Sequence, residues 1–411
     1  MKERNTRKTG NSKYSHNSKY RTSNNKKQKS YGKGNRFKEK IAHHKYISKV
    51  TSSQPEPNYV PSKNFYDFGF DSKLEQNILN RGYINPTKIQ DQTIPHILKG
   101  KDVLGIGSTG SGKTGAFLIP TINSALKDKK MRTLILSPTR ELASQIYAEF
   151  REFAQDTPLR MVLIIGGASI RDQVRLLKNR PAFVVATPGR LMDIEERNSI
   201  NLSDFNCVIL DEVDQMLAMG FVEDIRGIIA KLPAKKQALF FSATMGVKEE
   251  AIANSLLNTP VKVETYRQSP LKTIDQDVVK VKNKEHKITV LYELLQKSEF
   301  HKVLVFSGTK VGADMISDKL RKRGVKIDSL HGDKSQHKRS RVLSKFRQDK
   351  IDVLVATDVA ARGIDIPDIS HVINFDEPAS YNDYIHRIGR TGRIGKKGVA
   401  LTFVYDNSNR S

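Results

Sequence analysis

The chain has 411 residues and a formal net charge of +26, with 70 Lys and Arg against 44 Asp and Glu. That length suggests two or three domains. The single cysteine, Cys207, excludes an internal disulfide framework and fits a reducing compartment, so a cytoplasmic location is expected. No run approaches 18 apolar residues and the N-terminus has no apolar leader segment, so neither a membrane span nor a secretory signal is expected.

The charge is unevenly placed. Residues 1–50 hold 16 Lys and Arg and 2 Asp and Glu, a net of +14, and the remaining residues hold 54 and 42, a net of +12. Both parts are basic, which points to a polyanion partner, nucleic acid ahead of a merely solvated surface. Residues 1–62 are rich in Lys, Asn, Ser, Gly and Tyr and poor in aliphatics, and "NSKY" occurs twice, at 11–14 and 17–20. This composition predicts a disordered basic tail. Its lysines suit phosphates and its tyrosines suit base stacking; a solubilising tail and a transit peptide are the alternatives. The His43–His44 pair is read as part of this tail rather than as a metal site.

Beyond Pro61 the texture becomes alternating apolar runs and amphipathic stretches. Strands are predicted at 103–106, 133–136, 161–165, 183–186, 208–210 and 238–241, with helical segments between most of them. "YRQSPLKT" at 266–273 reads as a linker, and a second series follows at 303–306, 326–330, 353–356, 371–374 and 399–404. The fold class is therefore α/β: a tail (1–62), a first parallel-sheet domain (63–265), a linker (266–273) and a second such domain (274–411).

Within the first domain, "GIGSTGSGKT" places Gly107, Gly112, Lys113 and Thr114 in a G-x4-G-K-[ST] pattern between a strand and a helix. Gly110, Ser111 and Gly112 let backbone N–H groups curl around phosphate oxygens. Lys113 would reach the β- and γ-phosphates and the Thr114 hydroxyl would ligate Mg²⁺. Further on, "CVILDEVDQML" runs a buried strand into Asp211, Glu212 and Asp214, a density of carboxylates that needs a cation or donors nearby. If that strand lies beside the phosphate-loop strand, Asp211 would hold the nucleotide's Mg²⁺ and Glu212 would orient or deprotonate the attacking water.

Motif by motif, residues 63–405 resemble the DEAD-box RNA helicases of superfamily 2, whose domains are RecA-like. "GYINPTKIQ" (82–90) is similar to the family's Q motif, with Phe65 lying 17 residues before Gly82. The resemblance implies that Thr87 and Gln90 help select adenine, Gln90 through its amide and Phe65 by offering a ring face. "PTRELA" (138–143), "GG" (166–167) and "TPGR" (187–190) resemble RNA-contacting motifs, which gives Thr139, Arg140, Gly167, Thr187 and Arg190 to the sugar–phosphate backbone. "SAT" (242–244) implies that Ser242 and Thr244 bond toward Asp214. In the second domain "VFSGT" (305–309), "QHKR" (336–339), "ATDVAARGID" (356–365) and "HRIGRTGR" (386–393) match further motifs. They imply RNA contacts for Thr309 and Thr357, with Gln336 and Arg339 positioning that surface. They also imply a ribose contact for Asp365, a coupling contact between His386 and Asp214, and arginine fingers at Arg390 and Arg393.

The resemblance thus implies an RNA-stimulated ATPase using ATP and Mg²⁺ that opens short RNA duplexes locally, acting as a monomer with RNA as partner and with protein partners from ribosome assembly or RNA decay. An ATP-gated RNA clamp and a DNA helicase are the alternatives. Two departures stand out. The tetrad reads "DEVD", with Val213 adding bulk beside Glu212, and Gly107 stands where the family usually has Ala, a change expected to be harmless for backbone approach.

Overall fold

The computed structural model describes residues 41–49, 59–108, 110–265, 273–361, 366, 368–392 and 397–406. Most of the expected tail (1–40 and 50–58), residues 266–272 of the expected linker, and the expected site residues Asp365 and Arg393 lie outside the described residues.

The first domain opens with helices α1 (Ser72–Asn80) and α2 (Lys88–Leu98). Strands and helices then alternate: β1 (Val103–Gly107), α3 (Lys113–Lys127), β2 (Thr133–Leu136), α4 (Arg140–Phe153), β3 (Met161–Ile164), α5 (Ile170–Leu177), β4 (Phe183–Ala186) and α6 (Pro188–Glu196). They continue with β5 (Cys207–Leu210), α7 (Val213–Ala218), α8 (Val222–Lys231), β6 (Gln237–Ser242), α9 (Val247–Leu256) and β7 (Val261–Thr265). The second domain runs β8 (Ile274–Val281), α10 (Lys284–Leu295), β9 (Val303–Phe306), α11 (Lys310–Arg321), β10 (Ile327–Leu330), α12 (Gln336–Arg347) and β11 (Val353–Ala356). It closes with α13 (Asp358–Ala361), β12 (His371–Asn374), α14 (Tyr381–Ile388) and β13 (Gly398–Tyr405).

The first sheet has the order β3-β4-β2-β5-β6-β1-β7 and the second β10-β11-β9-β12-β13-β8, and every ladder between these strands is parallel. The inner strands β2, β4 and β5 read TLIL, FVVA and CVIL and are buried at every position. Helices cover both faces of such a sheet, so alternation is unnecessary and the strands are continuous apolar runs. Phe117, Phe241 and Ile135 sit in the core on one face of the first sheet, and Val208, Phe240 and Val184 in the core on the other. The helix starts are capped by the residues that chemistry favours: Asp71, Thr139, Ser169, Ser335 and Ser380 each accept a bond from a first-turn N–H.

Three expectations need correction. Strands β7 and β8, which flank the expected linker, do not appear among the sequence-predicted strands. They are the outer strands of their sheets, their burial is intermittent, and their apolar residues alternate with Lys, Glu, Asp and Gln. The Asp211 strand does not lie beside the phosphate-loop strand: β6 stands between β5 and β1. Disorder through residue 62 does not hold for 41–49, where a short 3₁₀ turn (His43–Tyr46) packs Tyr46 at 0% exposure and Ser48 bridges to Gln276 of β8.

Candidate functional site

The loop after β1 is closed by its own lysine. Lys113, the first residue of α3 and 7% exposed, donates to the Gly107 carbonyl (2.7 Å) and the Ser108 carbonyl (3.0 Å). Thr114 follows, half-buried, in the first turn of α3. Gly112 caps α3 at φ 93°, left-handed backbone that a side chain would strain. Gln90 lies against this loop: its Oε1 accepts the Thr87 N–H (2.9 Å) and its Nε2 donates to the Gly112 carbonyl (3.0 Å). Thr87 and Gln90 therefore buttress the phosphate loop. Phe65 does not present an open ring face as expected. It is 1% exposed, stacked on Tyr83 with centroids 6.0 Å apart and tilted against Phe68 at 6.2 Å. Spacing to a motif does not reveal which side of a ring the core covers.

At Gly107 an Ala fits only if neighbouring side chains shift. A Cβ at that position would meet Thr265 Oγ1 of β7 at 2.8 Å, Ser111 Oγ at 3.0 Å and Ile89 Cδ1 at 3.1 Å. The nearest of these atoms belongs to β7, an unanticipated strand that pairs with β1 at that residue.

At the end of β5, Asp211 is 2% exposed, Glu212 6% and Asp214 7%. Burial first, and then repulsion from Glu212, pushes the Asp211 carboxyl from 3.8 up to about 7, although the Lys113 charge opposes this. Its Oδ1 also accepts the Glu212 N–H at 3.0 Å. Glu212 holds φ 51°, ψ 51°, a left-handed conformation for a non-glycine residue at the start of α7. Such backbone costs on the order of 1–3 kcal/mol and is characteristic of functional turns. Val213 is fully buried in the core of this domain, so its branch is absorbed there.

The coupling residues converge from three elements. Thr244 Oγ1 donates to Asp214 Oδ2 (3.2 Å), and Ser242 Oγ accepts the Asp214 backbone N–H (3.4 Å) rather than touching its carboxylate. His386 of α14, from the other domain, places Nε2 3.9 Å from Asp214 Oδ2. Arg390, two residues past α14 and 4% exposed, lines a small recess with His386, Asp358 and Phe306. Arg387 lies in the same segment, within α14. It bonds Asp358 of its own domain with both Nε (2.5 Å) and Nη2 (2.8 Å), and donates through Nη1 to Asn374 Oδ1 and the Asp376 carbonyl.

The expected RNA-contacting threonines share one setting. Thr139, Thr187, Thr309 and Thr357 each follow the C-terminal end of a parallel strand (β2, β4, β9 and β11) and start a helix (α4, α6, α11 and α13). Thr139 Oγ1 accepts the Leu142 N–H (3.2 Å) and Thr309 Oγ1 the Gly312 N–H (3.0 Å). Their carbonyls also take the first helical bonds, as the Thr357 carbonyl does from Ala360 and Ala361. Arg140 leans on the glycine pair, where a Cβ at Gly166 would lie 2.9 Å from its Nη2 and one at Gly167, φ 79°, 2.5 Å from its Nη1. Arg190 donates to the Ala168 carbonyl at 3.1 Å. Burial lowers the Arg140 pKa, the Arg339 and Arg190 charges lower it further, and Glu141 opposes them. Three guanidinium groups thus share one neighbourhood, with Glu141 against them and Asp193 paired to Arg190 at 3.5 Å.

Glu141, not singled out in the sequence, is buried where the two domains meet. Arg339 of α12 places Nη2 2.7 Å from Glu141 Oε2, with side-chain exposures of 7% and 2%, and Gln336 Nε2 donates to Glu141 Oε1 at 3.4 Å. Gln336 and Arg339 therefore join the two domains. A cleft of about 260 Å³ between α4 and α12 opens beside them. The "E" of "PTRELA" and the "QHKR" segment were visible in the sequence, but nothing there pairs residues 195 and 198 positions apart.

Fold and site together define a two-domain phosphate-loop protein in which buried carboxylates meet the loop lysine and the second domain reaches them through His386. The chain belongs to the DEAD/DEAH box helicase family: residues 87–252 match that family and residues 286–395 match the helicase conserved C-terminal domain. It is 43% identical over 343 residues to the ATP-dependent RNA helicase CshA of Listeria monocytogenes, an alignment spanning 83% of this chain and 66% of that protein. The structure is similar to that of S. cerevisiae Dbp5 bound to RNA and ADP BeF3, with TM-score 0.75, 31% identity, and coverage of 84% of this chain and 90% of that one. It is also similar to the DEAD-box helicase Mss116 bound to ssRNA and UDP-BeF, with TM-score 0.76, 30% identity, and coverage of 84% and 77%.

Proposed function

We propose that this protein is an ATP-dependent RNA helicase that hydrolyses ATP when RNA is bound and opens short duplexes locally. The observation that carries this reading is the meeting of both domains at the carboxylate cluster: Lys113 and Asp211 from the phosphate-loop side, and His386 on Asp214 from the other. Neither domain alone contains the whole site, so ATP and RNA favour one closed arrangement and each strengthens the other's binding.

In this reading Lys113 exchanges its two loop carbonyls for the β- and γ-phosphates, and the N–H groups from Gly110 to Gly112 receive phosphate oxygens. Thr114 and Asp211 are the residues that would hold Mg²⁺, and the fit rests on Asp211: a buried carboxyl pushed up to about 7 by burial and its carboxylate neighbour is one that an added cation would return to the charged form. When bound, the ion neutralises charge on the transferring phosphoryl group. Glu212, turned by its left-handed backbone, orients the attacking water and accepts its proton. Arg390 and Arg393 act on the γ-phosphate from the second domain, and such fingers contribute about 10³–10⁵ in rate. Single-stranded RNA runs along the strand-end threonines, where helix N-termini and Arg140 and Arg190 suit phosphates rather than base edges. A cytoplasmic location fits the lone thiol of Cys207, which burial pushes up to about 12 and so keeps protonated.

The test is steady-state ATP hydrolysis with and without single-stranded RNA. RNA stimulation is expected in the wild type, and Glu212→Gln should still bind ATP and RNA together while losing turnover. Normal turnover by Glu212→Gln would reject its role, and equal stimulation by single-stranded DNA would move the assignment to a DNA helicase, since the 2′-hydroxyls distinguish the two.

A further inference from the structure

Residues 41–49 were expected to belong to the tail, yet they are built into the second domain. Tyr46 is 0% exposed, its ring centroid lies 4.9 Å from that of Tyr384 in α14, and it shares a core with Ile274, Ile388, Ala400 and Val404. Ser48 exchanges both backbone bonds with Gln276, N–H to carbonyl at 3.1 and 2.8 Å, as an antiparallel bridge on the outer edge of β8. Behind that bridge, Gln276 Oε1 accepts the Tyr384 hydroxyl at 2.9 Å. Lys45 lies over the Tyr381 ring, 5.7 Å from its centroid. The segment therefore touches β8 and α14 at once, and α14 is the helix that carries His386 to Asp214 and leads into Arg390.

The next described residues are fixed to the other domain. The Tyr59 hydroxyl, the Ser62 N–H (2.8 Å) and the Ser62 hydroxyl (2.7 Å) all donate to the Asp91 carboxylate. Asp91 follows Gln90 in α2, the helix that buttresses the phosphate loop. These bonds hold the Asp91 carboxyl below its ordinary range although burial works against them.

We propose that residues 41–49 are a strap on the second domain, with Tyr46 as the positioning residue that sets α14, and through it His386 and Arg390, against the carboxylate cluster, while Tyr59 and Ser62 anchor the chain to α2 of the first domain. This rests on the roles given to His386 and Arg390 above. A docked Tyr46 has no open ring face, so it cannot serve as a stacking platform for RNA in the manner proposed for the tail tyrosines. Its hydroxyl is buried without a hydrogen-bond partner and burial pushes it up to about 12, so the ring rather than the oxygen carries the contact.

The experiment uses the full chain. Tyr46→Phe should retain the wild-type kcat. Tyr46→Ala should lower the RNA-stimulated kcat by about ten- to a hundredfold, the scale at which small misplacement of a catalytic group acts, with the KM for ATP unchanged. Deleting 1–40 should spare kcat, whereas deleting 1–49 should reproduce the loss. If both deletions and Tyr46→Ala alter only the KM for RNA, the strap is a nucleic-acid tail and the proposal is overturned. The chain contains no tryptophan, so Tyr46→Trp gives a lone fluorophore. Blue-shifted, quencher-protected emission supports docking, and solvent-exposed emission overturns it whatever the ATPase shows. Wild-type turnover by Arg390→Ala would instead remove the finger assignment and leave the docking measurement standing.

Discussion

Replacing Arg339 by Met should separate the two domains without unfolding either. The Arg339–Glu141 pair is close (2.7 Å) and almost wholly buried, and it joins α12 of one domain to α4 of the other. Removing one partner of a buried pair strands the other charge, at a cost of about 3–5 kcal/mol. In a single-domain core that cost would fall on folding. Here Glu141 can escape it by regaining water when the domains part, so the penalty falls on the closed state. At about 1.4 kcal/mol per factor of ten, even the lower bound disfavours closure by on the order of 10². Coupled ATP and RNA binding should weaken accordingly, with kcat/KM for RNA-stimulated hydrolysis falling by a similar factor and the thermal transition of the protein little changed. The double variant Glu141→Leu/Arg339→Met removes both charges, and because apolar replacements of buried pairs are often neutral, it should recover most of the loss. If the double variant is as impaired as the single one, or if Arg339→Met loses RNA affinity without nucleotide, the pair is not a domain latch and Arg339 contacts RNA directly.

Other outcomes follow from the same geometry. Lys113→Ala should abolish hydrolysis, measured as phosphate release, and surviving turnover would defeat the phosphate-loop assignment. Because the folded Asp211 pKa is raised from 3.8 to about 7, the native state binds more protons than the unfolded chain in that window. The unliganded protein should therefore lose stability as pH rises from about 4 to about 7, with the full penalty present above that. Asp211→Asn should remove this component, so its melting temperature should gain on wild type more at pH 8 than at pH 5. Gly107→Ala should destabilise the protein by about 1–3 kcal/mol in a denaturant titration, and Thr265→Ala should relieve much of it by removing the nearest atom; a neutral Gly107→Ala would show that the loop yields freely.

The chemistry of the site was legible because it is local. Glycine spacing before Lys113 and the carboxylates after Cys207 act through neighbouring backbone, and strands buried on both faces are plain apolar runs. Two of the edges were less legible: β7 and β8 are only intermittently buried and alternate apolar with polar residues. The surroundings of Phe65, Gly107 and Arg387 were not legible for a shared reason: each is set by a residue distant in the chain, Tyr83, Thr265 and Asp358 respectively.

The sequence by itself determined the two α/β domains, the phosphate loop and the kind of chemistry, since those depend on residue type and short spacing. Only the tertiary structure decided which charges are already spent inside the protein, that Glu141 and Arg339 lock one domain to the other, and that Tyr46 belongs to a domain core. Pairing and burial are properties of three-dimensional neighbourhoods, and a guanidinium or ring carries no mark in the sequence of whether its partner will be the protein itself or a ligand.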